Sequence, residues 1–196
     1  MKSSAVLIFA LAVGGGVVAS ERDARALGPL DVEVGAKIGG GTAPFSNQPN
    51  ALGFGLGARA GVVVFGGLYG GLSIVHYFGG SGTVALGDVS TSGASESSTL
   101  FGFEGGYGVS LLGLLTLRAQ LGVGSFNVSF SGIDLPSASN LYLEPGLTVL
   151  ASFGLVFVGA DVNLLVLPGI TDPTNPLGPS KWATTLTSHA QVGVKF

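Results

Sequence analysis

Eleven ionisable side chains of this 196-residue chain lie inside regular stretches of sequence: Asp31, Glu33, Lys37, Arg59, His76, Glu104, Arg118, Glu144, Asp161, His189 and Lys195. Paired carboxylates among them could share a proton or hold a cation, and Arg59 and Arg118 could clamp an anion. Catalysis needs more than residue types, because a nucleophile or metal requires its partners at fixed spacing. The two histidines stand in His76-Tyr77-Phe78 and His189-Ala190-Gln191, with neither a His-x-Ser pair nor a metal-ligand spacing. Gly55 to Ala60 formally matches a dinucleotide fingerprint, but its glycines alternate as in a strand and no helix follows. No catalytic, cofactor-binding or metal-binding residue is therefore assigned, no cofactor is expected, and the chain is read as a non-enzyme. Cysteine is absent and the formal charge is −3, which argues against disulfides and nucleic acid.

The elements that must position these charges are strands. From Leu52 to Val62 the even positions (Leu52, Phe54, Leu56, Ala58, Ala60, Val62) are apolar, while the odd ones are glycine and Arg59. Leu141, Leu143, Pro145, Leu147 and Val149 alternate in the same way with Tyr142, Glu144, Gly146 and Thr148. Period two sorts these sets onto opposite faces, where a helix would scatter them. Eight such runs are expected, at 30–41, 51–63, 68–78, 98–109, 115–128, 140–151, 155–167 and 182–196. Short turns near 64–67, 110–114 and 152–154 alternate with longer polar loops near 42–50, 79–97, 129–139 and 168–181. Within the runs Asp31, Glu33, Lys37, Arg59, Glu104, Arg118, Glu144, Asp161 and Lys195 all fall opposite the apolar stripe. A charge on a lipid-facing strand costs about 2–4 kcal/mol at the midplane, so this pattern places every one inside a barrel. The expected fold is all-β: a closed, eight-stranded, antiparallel transmembrane barrel.

Composition agrees with a membrane setting, with 35 glycines, 10% charged residues and a mean hydropathy of +0.61. Residues 1–26 read as a signal peptide: Lys2 precedes the charge-free core Ala5–Ala19, with cleavage expected after Ala26 or Ala19. Residues 27–196 form the barrel domain. Phe65, Phe78, Phe101, Tyr107 and Trp182 lie near strand ends and are expected to form aromatic girdles at the membrane interfaces. Inside, Glu33, Lys37, Arg59, Glu104, Arg118, Glu144, Asp161 and His189 are expected to form a lumen network. Loop centres set Glu33 opposite Arg59, Glu144 opposite Asp161, and Glu104 diagonal to Arg118. The carboxylate pair then needs a proton, a cation or one of the two arginines. Lumen glycines would either leave a narrow passage or let Tyr69, Tyr77, Phe126 and Tyr142 fold over them.

The chain resembles the small eight-stranded outer-membrane barrels, similar to the OmpA transmembrane domain, OmpX and OmpW. The likeness is architectural over residues 30–196, and its most specific part is the C-terminus, where Val192, Val194 and Phe196 alternate in the last strand. That ending is similar to the signal by which the outer-membrane barrel assembly machinery recognises such proteins. The resemblance implies a multi-pass protein of the bacterial outer membrane, with lipid as its surroundings and the assembly machinery as its partner in biogenesis. A monomer is expected. A structural, membrane-stabilising role with a mostly closed lumen is the leading expectation. The alternatives are a narrow channel for small or apolar solutes, and loop-mediated adhesion or reception.

Overall fold

A computed structural model describes residues 30–43, 50–86, 89–111, 114–131, 137–170 and 181–196. The expected signal peptide and parts of the four polar loops lie outside these residues. Eight strands follow one another: β1 Asp31–Gly41, β2 Phe54–Val64, β3 Leu68–Leu86, β4 Val89–Leu111, β5 Leu115–Ser131, β6 Ala138–Phe153, β7 Val156–Ile170 and β8 Lys181–Lys195. Each pairs antiparallel with its neighbours in sequence, and β8 returns to β1, closing the barrel.

The stagger can be read by walking across the ladders. Asp31 pairs with Val63, and the path continues through Tyr69, Gly106, Gln120, Gly146, Asn163 and Thr187. It returns to β1 at Gly41, ten residues above its start. With about 3.3 Å rise and about 4.8 Å between strands, a shear of ten over eight strands tilts them by about 41°. Each residue then climbs about 2.5 Å along the axis, and the barrel radius is about 8 Å, so the lumen is only as wide as the side chains that fill it.

Alternation sorts the side chains as the sequence predicts. The outward set is apolar and includes Ile38, Leu56, Leu72, Ile74, Leu117, Leu121, Leu147, Val158 and Val192. Pro145 also faces outward; the β6–β7 ladder lapses beside it, between Leu143 and Gly146, because proline has no N–H to donate. At the β2–β3 turn, Phe65 (φ 50°) and Gly66 (φ 72°) are both left-handed, and the Gly67 N–H donates to the Val64 carbonyl. This is the primed turn that matches strand twist, although a bulky residue rarely occupies its first central position.

Two expectations need correction. The 79–97 stretch is not simply a loop: β3 runs on to Leu86 and β4 begins at Val89, so the hairpin continues well beyond the other strands. Ser- and Gly-rich composition hid a strand there, because backbone pairing tolerates side chains that carry no periodic signal. Leu52 does not face outward; it lies in the turn before β2 and is completely buried, so alternation does not apply to it.

Candidate functional site

Glu33, Lys37, Arg59, Glu104, Arg118, Glu144, Asp161 and His189 are buried as expected, whereas Asp31 and Lys195 sit half-exposed at the barrel end and pair with each other at 2.9 Å. All of the buried set but Glu144 form two connected groups. Near the end where β1 begins and β8 finishes, the terminal end of the barrel, Glu33 accepts from Arg118 Nη1 and Nη2 at 3.0 and 2.9 Å and from Arg59 Nη2. One carboxylate thus sits between two guanidiniums, one of them bidentate. The remaining Arg59 and Arg118 nitrogens meet aromatic faces. The Arg118 guanidinium lies 4.1 Å from the Tyr69 ring centroid, and that of Arg59 lies 5.0 and 5.5 Å from Tyr69 and Phe157. Arg59 Nε and Nη1 and Arg118 Nε lack hydrogen-bond partners, and these ring faces are what replaces them.

The second group centres on Asp161. It accepts from Asn163 Nδ2 at 2.7 Å and from Gln191 Nε2, and its Oδ1 lies 2.7 Å from His189 Nδ1. His189 Nε2 in turn lies 2.7 Å from the Tyr77 hydroxyl. Lys37 Nζ bridges Glu104 at 3.1 Å and Asp161 at 3.4 Å. Glu144 stands apart, accepting from the Thr187 hydroxyl at 2.8 Å. Thr148, Gln120 and Asn163 extend the bonding sideways across β5, β6 and β7.

The expected pairings are off by small steps of register. Gly35, not Glu33, is opposite Arg59, yet the long arginine still reaches Glu33. Thr148 rather than Glu144 faces Asp161, so the two carboxylates are not cross-strand neighbours. Arg118 faces Gly108 and crosses the lumen to Glu33 instead of pairing with Glu104. The cation that serves Asp161 and Glu104 is Lys37, not an arginine. Across a lumen about 16 Å wide, long side chains choose partners on any strand, so ladder register alone does not determine them.

Apolar layers lie on both sides of this charged belt. Towards the loop end Leu52, Val75, Tyr77, Leu100, Phe126, Tyr142, Leu165 and Leu167 form one buried cluster. At the other end Tyr69, Leu150 and Phe157 are buried. Sequence reasoning placed Tyr77, Phe126 and Tyr142 of this layer inside, but missed Leu165 and Leu167, which sit in a continuous run (Asn163-Leu-Leu-Val-Leu167) that hides the alternation. The lumen glycines serve packing. A Cβ on Gly55 would sit 2.6 Å from the Tyr77 ring, and one on Gly61 or Gly71 would come within 2.5 Å of Tyr69. Gly35 and Gly193 flank Phe157 in the same manner, and Gly102 lies under the Tyr142 hydroxyl.

Outside, Phe65, Phe78, Phe101, Tyr107 and Trp182 all project from the wall, with Phe65 and Trp182 the most exposed at 83% and 71%. Phe65 and Tyr107 lie at the terminal end, Phe78 and Trp182 at the loop end, and Phe101 one step below the upper group. Phe54, Phe103 and Phe153 are exposed too and belong to the same outer surface. Val192 is exposed and Val194 and Phe196 are half-buried in the β8–β1 seam, where Val34 pairs with Val194 and Phe196 exchanges backbone bonds with Val32.

No family model matches the chain, and no curated protein matches it. Solved structures do. Neisserial surface protein A (NspA) superposes with a TM-score of 0.54 at 15% identity, over 85% of this chain and 96% of that one. Ail, the attachment invasion locus protein of Yersinia pestis, in complex with the heparin analogue sucrose octasulfate, superposes at 0.52 and 11% identity, over 85% and 97%. Both are small eight-stranded outer-membrane barrels, and this chain has their fold.

Proposed function

We propose that this protein is a monomeric barrel of the bacterial outer membrane whose role is structural, stabilising the membrane it spans, with no catalysis. The observation that carries this reading is the filled lumen, a hydrogen-bonded charge belt enclosed between two apolar layers. The outward wall supports the membrane setting. On β5 it is apolar from Leu115 to Val123 and turns polar at Ser125, a height of about 25 Å at about 2.5 Å per residue, matching the hydrocarbon band of such barrels. The exposed aromatics would then anchor in the two interfaces, both termini would face the periplasm, and Val192, Val194 and Phe196 would present the last strand to the assembly machinery. The channel alternative loses support from glycine, since Tyr69, Tyr77, Tyr142 and Phe157 fill the space beside six of the lumen glycines, and side chains such as Val75, Gln120, Glu144 and Leu150 lie beside others.

Reconstitution in planar bilayers tests the role. Refolded protein should shift mobility on boiling and insert without discrete conductance steps. Reproducible single-channel openings would overturn the closed-lumen reading in favour of a narrow channel.

Adhesion or reception remains a second reading because the β3–β4 hairpin projects past the other strands. Its 79–97 stretch carries Asp88 and Glu96 and no lysine or arginine, so a sulfated polysaccharide like the analogue bound to Ail is a poor match in charge. Deleting 81–94 and measuring attachment to host-cell surfaces distinguishes this reading from the structural one.

A further inference from the structure

Across β3 to β6 the outward wall is apolar until one line of residues crosses it; on β8 Ser188 and Thr184 also face outward, but apart from this line. On β3 the apolar positions Leu68, Leu72 and Ile74 give way to His76; on β5 Val123 gives way to Ser125 and Asn127. On the descending strands Thr99 precedes Phe101, and Ser139 precedes Leu141. These positions are ladder partners: His76 faces Thr99, Thr99 faces Asn127, and Asn127 faces Ser139. Four polar side chains therefore run without a break across β3, β4, β5 and β6. On the other side His76 faces Leu56 of β2, and the line ends.

The line is linked internally. His76 Nδ1 lies 2.8 Å from the Thr99 hydroxyl. The Ser125 hydroxyl, one step lower on β5, donates to Asn127 Oδ1 at 3.2 Å and lies 3.0 Å from the Ser139 hydroxyl. Beside it is an aromatic shelf. The Phe78 ring stands edge-on to His76 at 4.9 Å and 85°, and Phe54 stacks on Phe78 at 6.2 Å. None of these side chains reaches the lumen network, and polar groups facing hydrocarbon would be a liability.

We propose that this line is a binding ledge for the sugar headgroup of a glycolipid in the outer leaflet, an inference that rests on the membrane reading above. Hydroxyl, amide and imidazole groups both donate and accept, as sugar hydroxyls do. The line contains no lysine or arginine, so a phosphate would meet no counter-charge other than His76. The apolar faces of a sugar ring fit against Phe54 and Phe78, while the acyl chains continue down the wall below Ser125. The β3–β4 hairpin continues above the line.

The test uses the full barrel in nanodiscs of phosphatidylethanolamine and phosphatidylglycerol, with and without lipopolysaccharide, and native mass spectrometry to count bound lipids. The wild type is expected to retain glycolipid in preference to either phospholipid. The triple variant His76→Phe, Thr99→Val, Asn127→Leu is expected to retain it about fivefold less or weaker still, with heat-modifiable mobility unchanged. Equal retention by the variant overturns the ledge, and preferential retention of phosphatidylglycerol overturns the sugar assignment. If the variant does not fold, NMR of the wild-type His76 ring decides: no shift change on adding lipopolysaccharide overturns the proposal. Failure of the wild type to insert into either bilayer refutes the membrane reading instead.

Discussion

Among the described residues Lys37 is the one lysine or arginine bonded to Glu104 and Asp161, and its replacement gives the sharpest test of how the lumen is held. Its ammonium lies 3.1 Å from Glu104 and 3.4 Å from Asp161, with all three side chains buried. At an effective dielectric of about 20, each contact is worth about 5 kcal/mol of gross Coulomb attraction. Desolvating the ammonium offsets much of that, and removing one member of a buried pair costs about 3–5 kcal/mol net, because the remaining charge is stranded. Lys37→Met keeps the length and apolar stem while stranding Glu104, which is left with neutral partners, the Tyr69 hydroxyl at a long 3.5 Å and the Ser73 hydroxyl. Asp161 is cushioned by Asn163, Gln191 and His189. Lys37→Met should therefore lower unfolding free energy by about 3–5 kcal/mol, and adding Glu104→Gln should recover at least about 1.5 kcal/mol of it. Urea unfolding in lipid vesicles reads this out through the single tryptophan, Trp182, which projects from the outer wall, together with the gel mobility shift. A loss under about 1 kcal/mol would refute the claim that Lys37 holds the belt together, as would the absence of recovery in the double variant.

Three further outcomes follow from single contacts. Among the described residues the charged belt sets Lys37, Arg59 and Arg118 against Glu33, Glu104, Glu144 and Asp161, and of these four carboxylates Glu144 has no cation bonded to it. Glu144→Gln should hold or raise stability by removing the surplus charge while keeping an acceptor for Thr187, whereas Glu144→Ala should lower it by about 1–2 kcal/mol without altering bilayer conductance. Gly71→Ala places a methyl 2.5 Å from the Tyr69 hydroxyl and close to the backbone of Ala60 and Gly61, and should cost about 1–3 kcal/mol in the same unfolding assay. Above the membrane band, burial pushes the Glu96 carboxyl up to about 7. The folded state then binds a proton that the unfolded chain releases near 4.5, so the stabilisation contributed by Glu96 should be full below about pH 4.5 and fall by at most about 3 kcal/mol as pH rises past 7. Unfolding midpoints at pH 4.5 and 8 should show this slope in the wild type and not in Glu96→Gln.

Much of the fold was legible because it rests on period two. Phe54 to Val62 and Leu141 to Val149 state their faces outright, and each lumen charge obeys the same parity. Legibility failed where periodicity is silent. Ser and Gly in the 79–97 stretch carry no facing preference, so backbone pairing extends β3 and β4 where composition suggests a loop. Leu52 sits in a turn, where alternation has no meaning. The strand register was missed by two residues between β1 and β2 and by four between β6 and β7, since it depends on where each connection is placed. Among the described residues, paired left-handed residues mark the β2–β3 turn alone, at Phe65 and Gly66.

The candidate site was legible as a set of residues but not as a set of contacts. A shear of ten tilts the strands so that residues far apart in ladder register share a level. By that geometry Lys37, Arg59, Glu104 and Asp161 all lie within about one residue of the same height, though no two are ladder partners. Which of them bond is then settled by reach. Lys37 points at the two carboxylates across from β1, while Arg59 and Arg118 turn towards the terminal end, where Glu33 and the rings of Tyr69 and Phe157 receive them. The glycines make this possible. Gly61 and Gly71 leave the space for the Tyr69 ring, and that ring supplies the face on which both guanidiniums lie. A glycine-rich lumen is thus the condition for burying two arginines beside one carboxylate in a barrel only eight strands wide, and replacing the glycines should disturb the charges before it disturbs the strands.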